Sequence, residues 1–158
     1  MKLIGKHSFV ALVLMLTPCV SGWSPPNNPT KFDEFGDINC EDEWARLDNF
    51  AVQLQQTSGA QGFIIFHGGR LFRGRLPKRG EAAARAARMK PYLVNVRGIP
   101  SKQITVIDGG FSESWTAELW IAPSGVSAPL PLSTIPKGEI KFRRGRVTTR
   151  QFSCHPPG

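Results

Sequence analysis

His67, with Gly68 and Gly69 directly behind it, is the first place along the chain where chemistry could be arranged. A histidine closing an apolar run before two glycines is the layout of an oxyanion loop, whose backbone N–H groups receive the negative oxygen of an acyl-transfer intermediate. That chemistry also needs a nucleophile elbow, and Gly110-Phe111-Ser112-Glu113-Ser114 lacks its closing glycine. A small hydrolase is therefore a remote alternative, and His67 reads more simply as a packing residue at a strand end. Asp108 and Glu118 could pair as acid and base only if the fold set them in one cleft. Three histidines and three cysteines, widely spaced, form no metal-ligand pattern. Gly68-Gly69 and Gly109-Gly110 read as turns, not as a phosphate-cradling loop. The chain is accordingly expected to be no enzyme and to need no cofactor.

Cations are the other chemistry on offer. Lysine and arginine number 20 against 12 acidic residues, for a formal charge of +8. They gather in two segments: Arg70, Arg73, Arg75, Lys78 and Arg79 in one, and Lys141, Arg143, Arg144, Arg146 and Arg150 in the other. Such a surface favours anionic wall polymers, lipid head groups or acidic partners. Nucleic acid is not expected, because only Phe142 and Phe152 interleave with the second segment and stacking needs more. Arg85 and Arg88 sit between the two segments on a helical pattern. Arg85 can be an anion ligand or a solvated helix residue. With Arg70, Arg73, Arg88 and His67 it makes up the candidate ligand-binding set.

The N-terminus limits where this happens. Lys2 and Lys6 precede an apolar run from Phe9 to Leu16 and then Thr17-Pro18-Cys19-Val20-Ser21-Gly22, the three-part layout of a secretory signal cleaved after Gly22. The run is too short for a membrane-spanning helix. Acylation at Cys19 is the rival reading, with Pro18 where a small residue belongs. Cleavage leaves one domain's worth of chain and two cysteines, Cys40 and Cys154, expected in the periplasm, the cell envelope or outside the cell. Near opposite ends of an exported chain, they most simply pair with each other; two free thiols is the alternative.

These residues must be positioned by the elements around them. Residues 23–31 are a proline-rich spacer. Residues 32–38 read as an entry strand. Asn39 is placed as an N-cap for a helix to about Gln56, with Glu41, Asp42 and Glu43 in its first turn and Trp44, Leu47, Phe50, Ala51 and Leu54 as its buried stripe. Gly62 to His67 is a central strand, and residues 68–80 form a glycine- and arginine-rich loop. A second helix runs from Glu81 toward Val96, bent at Pro91 and stopped at Gly98. Residues 104–107 and 116–121 are strands with a turn region from Asp108 between them. The fold class is α/β, an α+β sandwich: strand, helix and strand from 63 to 107 make a parallel pair, the last strand adds antiparallel, and the helices pack on one face. Residues 123–136 are a proline-rich linker, and residues 137–158 a basic tail with one or two short strands, tied back by a disulfide.

Residues 32–122 in this order resemble the OmpA-like, peptidoglycan-associated domain of bacterial envelope proteins. The opening Phe32-Asp33-Glu34-Phe35-Gly36-Asp37-Ile38, the strand Ile64-Ile65-Phe66-His67, the link Arg97-Gly98-Ile99-Pro100-Ser101-Lys102-Gln103-Ile104 and the strand Ala117-Glu118-Leu119-Trp120-Ile121 carry the likeness. The resemblance implies a non-catalytic domain that holds the diaminopimelate of peptidoglycan between an aspartate and an arginine. It puts Arg85 on the family's arginine. Gly69 stands in place of the aspartate, and Trp115 and Thr116 stand where a basic residue precedes the closing strand.

Overall fold

The computed structural model describes residues 28–152 and 154. The expected signal peptide, Cys19 and most of the proline-rich spacer lie outside them. Strand β1 spans Thr30–Phe35 and takes in Thr30 and Lys31, which the sequence reading left in the spacer. The last proline is Pro29, so both residues are free to pair, with Ile121 and Trp120.

Helix α1, Cys40–Gln56, starts where its cap demands: the Asn39 side chain accepts the Asp42 N–H at 2.8 Å. Its buried stripe is Glu43, Leu47, Phe50, Ala51 and Leu54. Trp44, expected on that stripe, lies beside it and stacks on Tyr92 with ring centroids 6.0 Å apart. Strand β2 is Gln61–Gly69.

The expected second helix is two: α2, Glu81–Ala86, and α3, Met89–Asn95. Pro91 causes the break, since it donates no hydrogen bond and its ring crowds the carbonyl four residues back, at Ala87. Gly98, in the left-handed region at φ 70°, turns the chain out of α3.

Strand β3 spans Ile104–Ser112 and β4 spans Thr116–Ala122. The turn expected from Asp108 does not form. Instead the register slips between Phe66↔Asp108 and Gly68↔Phe111, so Gly109-Gly110 makes a bulge inside β3, with Gly110 at φ 84°.

The four strands lie in the order β1-β4-β2-β3. The pair β2 and β3 is parallel, and β4 is antiparallel to both β1 and β2. One core joins Leu47, Phe50 and Leu54 of α1, Met89 and Leu93 of α3, and Ile64, Ile104 and Leu119 of the sheet. The helices share one face: a side chain at Gly62 would strike Leu54 and Phe50, and one at Gly68 would touch Ala82.

After β4 the chain returns to the far end of the sheet, where the N–H groups of Thr134 and Ile135 both donate to the Phe111 carbonyl. The short strands expected beyond residue 137 are replaced by 3-10 turns at Lys137–Glu139 and Thr149–Phe152 and by an isolated Lys78↔Arg143 bridge. This segment bonds to the loop after β2 rather than to a strand edge. Cys154 joins Cys40 at the start of α1 in a disulfide, Cα atoms 5.8 Å apart. No described helix is long and apolar enough to cross a membrane.

Candidate functional site

Glu81 and Arg85 stand one turn apart on α2 and both face inward. Glu81 closes the helix start by accepting the Lys78 N–H at 2.6 Å. Arg85 is not a solvated helix residue; it is only 2% exposed. Its guanidinium lies between the rings of Trp115 and Phe72, 4.1 and 4.3 Å from their centroids. A desolvated cation between two aromatic faces is held by the ring quadrupoles with about 2 kcal/mol or more.

A tight hairpin brings Phe72 there. Phe72 and Arg75 exchange backbone hydrogen bonds at 2.7 and 3.0 Å around Arg73 (φ 49°) and Gly74 (φ 73°), the left-handed pair of a two-residue primed turn. Arg73 at its tip reaches Asp37, Nε to Oδ2 at 2.7 Å. Asp37, just beyond β1, also accepts from Arg85 Nη2 at 2.6 Å. Burial alone would raise the Asp37 carboxyl. The hydrogen bonds and charges of Arg73 and Arg85 outweigh burial and hold it below its ordinary value. Burial pulls Arg85 the other way, below the usual arginine value, against the attraction of Asp37.

Asp37 satisfies one of the three guanidinium nitrogens. Nε and Nη1 of Arg85 are buried with no hydrogen-bond partner among the described residues, as is Nε1 of Trp115. Both side chains line a cavity of about 200 Å³, with Phe72 and Phe111 as apolar walls, Lys78 among its cations and Asp108 among its carboxylates. Buried donors left without acceptors are costly, and they are the groups an anionic ligand would satisfy.

Of the sequence-derived candidates, Arg73, Arg85 and Arg88 gather round one depression that also includes Asp37. Arg88 faces Glu43, its Nε 2.7 Å from Oε1, and donates to the Phe152 carbonyl at 2.8 Å. Arg70 points elsewhere, to Glu113 at 3.2 Å. His67 is buried in β2 with its ring against Gly109, where a side chain would have no room. It neighbours Glu118, with Nε2 3.8 Å from Oε1, and it does not line the Arg85 cavity. Among the described residues no three of His, Cys, Asp and Glu cluster as metal ligands would.

Gly69 has a steric explanation. Strand β4 pairs with β2 rather than β3, so the link from β3 to β4 must cross the end of β2. It passes so close that a Cβ at Gly69 would lie 2.6 Å from the Trp115 N and 2.7 Å from the Leu71 O. Backbone cannot yield as a side chain can. Gly69→Asp is therefore expected to cost at least about 3 kcal/mol, read as a lower midpoint of urea unfolding; an unchanged midpoint contradicts the packing.

No protein-family model matches the chain, and no curated protein matches it. The site thus rests on its own geometry. Among the members that escaped the sequence reading as site residues are Asp37, Phe72, Trp115 and Glu43. Glu43 had a signal, since it falls at i, i+4, i+7 and i+11 with Leu47, Phe50 and Leu54. Asp37, Phe72 and Trp115 had none, because only the assembled fold brings their loops to α2.

Proposed function

We propose that the chain is an exported, non-catalytic envelope protein whose OmpA-like domain holds a carboxylate of peptidoglycan, or of another anionic envelope component, on Arg85. The carrying observation is the buried Arg85 guanidinium, with two nitrogens unpartnered among the described residues, on a side chain that lines a cavity. A guanidinium presents a planar fork that matches a carboxylate bidentately, and a low-polarity surround strengthens that contact. Phe72 and Trp115 fix the plane of the fork in advance, which lowers the ordering cost of binding. The order β1-β4-β2-β3, with Arg85 on the helix after β2, supports the resemblance on which the envelope reading rests.

The acidic partner is re-sited. The family's aspartate position is closed at Gly69, while Asp108 lines the same cavity as Arg85. A zwitterionic ligand would then meet one partner of each sign. The disulfide fits an oxidising compartment.

Purified sacculi provide the test. The oxidised protein is expected to pellet with them at low salt and to remain bound at moderate salt, because a buried pair is screened less than a surface field. Failure to pellet at low salt would remove peptidoglycan as the ligand. Release at moderate salt would replace the pocket with a diffuse cationic surface.

A further inference from the structure

The two basic segments lie more than sixty positions apart in sequence, and the fold lays one directly on the other. Arg143 donates its backbone N–H to the Pro77 carbonyl at 3.0 Å and its Nε to the Leu76 carbonyl at 2.8 Å. Lys78 Nζ donates to the Arg146 carbonyl at 3.0 Å. These bonds fix the geometry without neutralising any charge, because every acceptor is a backbone oxygen. A second cleft, of about 270 Å³, opens between the segments, lined by Arg79, Ile140, Phe142, Arg143, Arg144 and Gly145 with no carboxylate in its wall. The nearest acid to its arginines in an ion pair is Glu81, 3.9 Å from Arg143 and itself buried.

Leu76 adjoins this cleft through its carbonyl and is more than a third exposed, and Leu71 on the same loop is more exposed still. Phe142, the one ring in the cleft, is already packed edge-on against Phe111 and capped by Arg79. Base stacking would need a free ring face. Exposed leucines among cations are instead the composition of a surface that rests on a bilayer: charge meets phosphate, and a few apolar side chains enter the head-group layer.

We propose that this face, built from the loop after β2 and the C-terminal segment, docks on the phosphates of an anionic lipid bilayer, with Arg79, Arg144 and Arg146 as the phosphate-binding group and Leu76 as the inserted side chain. It does not rest on the role proposed for Arg85, although Arg79 and Phe142 line both cavities. Arg143 is partly committed to Leu76 and positions the others, whereas Arg144 and Arg146 make no ion pair among the described residues. Attraction of this kind reaches about 8 Å at physiological salt, so binding requires the flat approach that the fused segments allow.

The experiment is co-sedimentation of the full, oxidised chain with vesicles of phosphatidylcholine alone and with vesicles containing about 30% phosphatidylglycerol. Binding to the second kind only is expected. Combined Arg79→Gln, Arg144→Gln and Arg146→Gln should weaken it roughly a hundredfold, at about fivefold per cation removed. Arg144→Glu alone, at an exposed position with no ion pair among the described residues, should weaken it at least about tenfold. Leu76→Ser should weaken it less than the triple change does. Equal binding to both vesicle types, unaltered binding of Arg144→Glu, or tighter binding to duplex DNA or polyglutamate at matched salt would overturn the proposal. Arg85→Met should bind vesicles as wild type does, so failure on sacculi and failure on vesicles are separable.

Discussion

Arg85→Met is expected to leave the thermal midpoint of the oxidised protein unchanged or higher, while Asp37→Asn lowers stability by about 3–5 kcal/mol. The asymmetry follows from what each change leaves behind. Burying a guanidinium costs several kcal/mol of hydration, and one carboxylate hydrogen bond and two ring faces offset only part of it. Methionine fills the same slot without that cost, and its sulfur packs well against aromatic rings. Asp37 keeps its bond to Arg73, so it is not stranded. Asp37→Asn does the opposite: Arg85 stays buried and charged with no carboxylate beside it. Acid should act in the same direction. The Asp37 carboxyl is held below its ordinary value in the folded chain, so its contribution is fully present above about pH 4. That contribution is lost as pH falls through the folded value. Wild type should therefore lose more stability than Arg85→Met between pH 4 and strongly acidic solution; equal losses in the two proteins would mean that the pair does not govern this titration.

The largest single loss is expected from opening the disulfide. Cys40 and Cys154 are 114 positions apart, and a loop of that size contributes about 4–5 kcal/mol in the chain-entropy treatment. That is a large share of the roughly 5–15 kcal/mol that holds an ordinary domain. Much of the C-terminal segment depends on it locally as well. Phe152 packs edge-on against Phe72, and its carbonyl takes the Arg88 N–H, so release of Cys154 loosens the hairpin that holds Phe72 over Arg85. Cys154→Ser, or reduction of wild type, should lower the guanidinium midpoint sharply and expose residues 137–152 to protease before the sheet unfolds. Equal midpoints with and without reductant would contradict this.

The elements set by local rules were legible in the sequence. Asn39 and the spacing of Leu47, Phe50 and Leu54 define α1 almost to the residue. Pro91 and Gly98 punctuate the segment that follows, although the break falls at Ala87 and Arg88, where the proline ring acts, rather than at the proline itself. The strand pairing followed from chain order. What could not be read was anything that depends on two distant segments meeting. Asp108-Gly109-Gly110 has the composition of a turn and is a bulge, because the bulky His67 ring on the neighbouring strand needs Gly109 to lie flat beneath it. Arg85 was identified as a position, but its burial was not, since helical spacing alone cannot tell that Phe72 arrives by a hairpin and Trp115 by a crossing link. The tail alternates like a strand, yet its Arg143 N–H bonds the Pro77 carbonyl of the loop after β2, a distant segment that the pattern does not name.

Retention of Arg85→Met on purified sacculi, at moderate salt and beside wild type, tests the central claim most directly. Met at this position keeps the fold and the outer basic face and removes only the buried fork. The account predicts that wild type pellets with the sacculi while the folded Arg85→Met protein stays in solution. Equal pelleting of the two, with matched thermal midpoints, would show that Arg85 holds nothing from the cell wall.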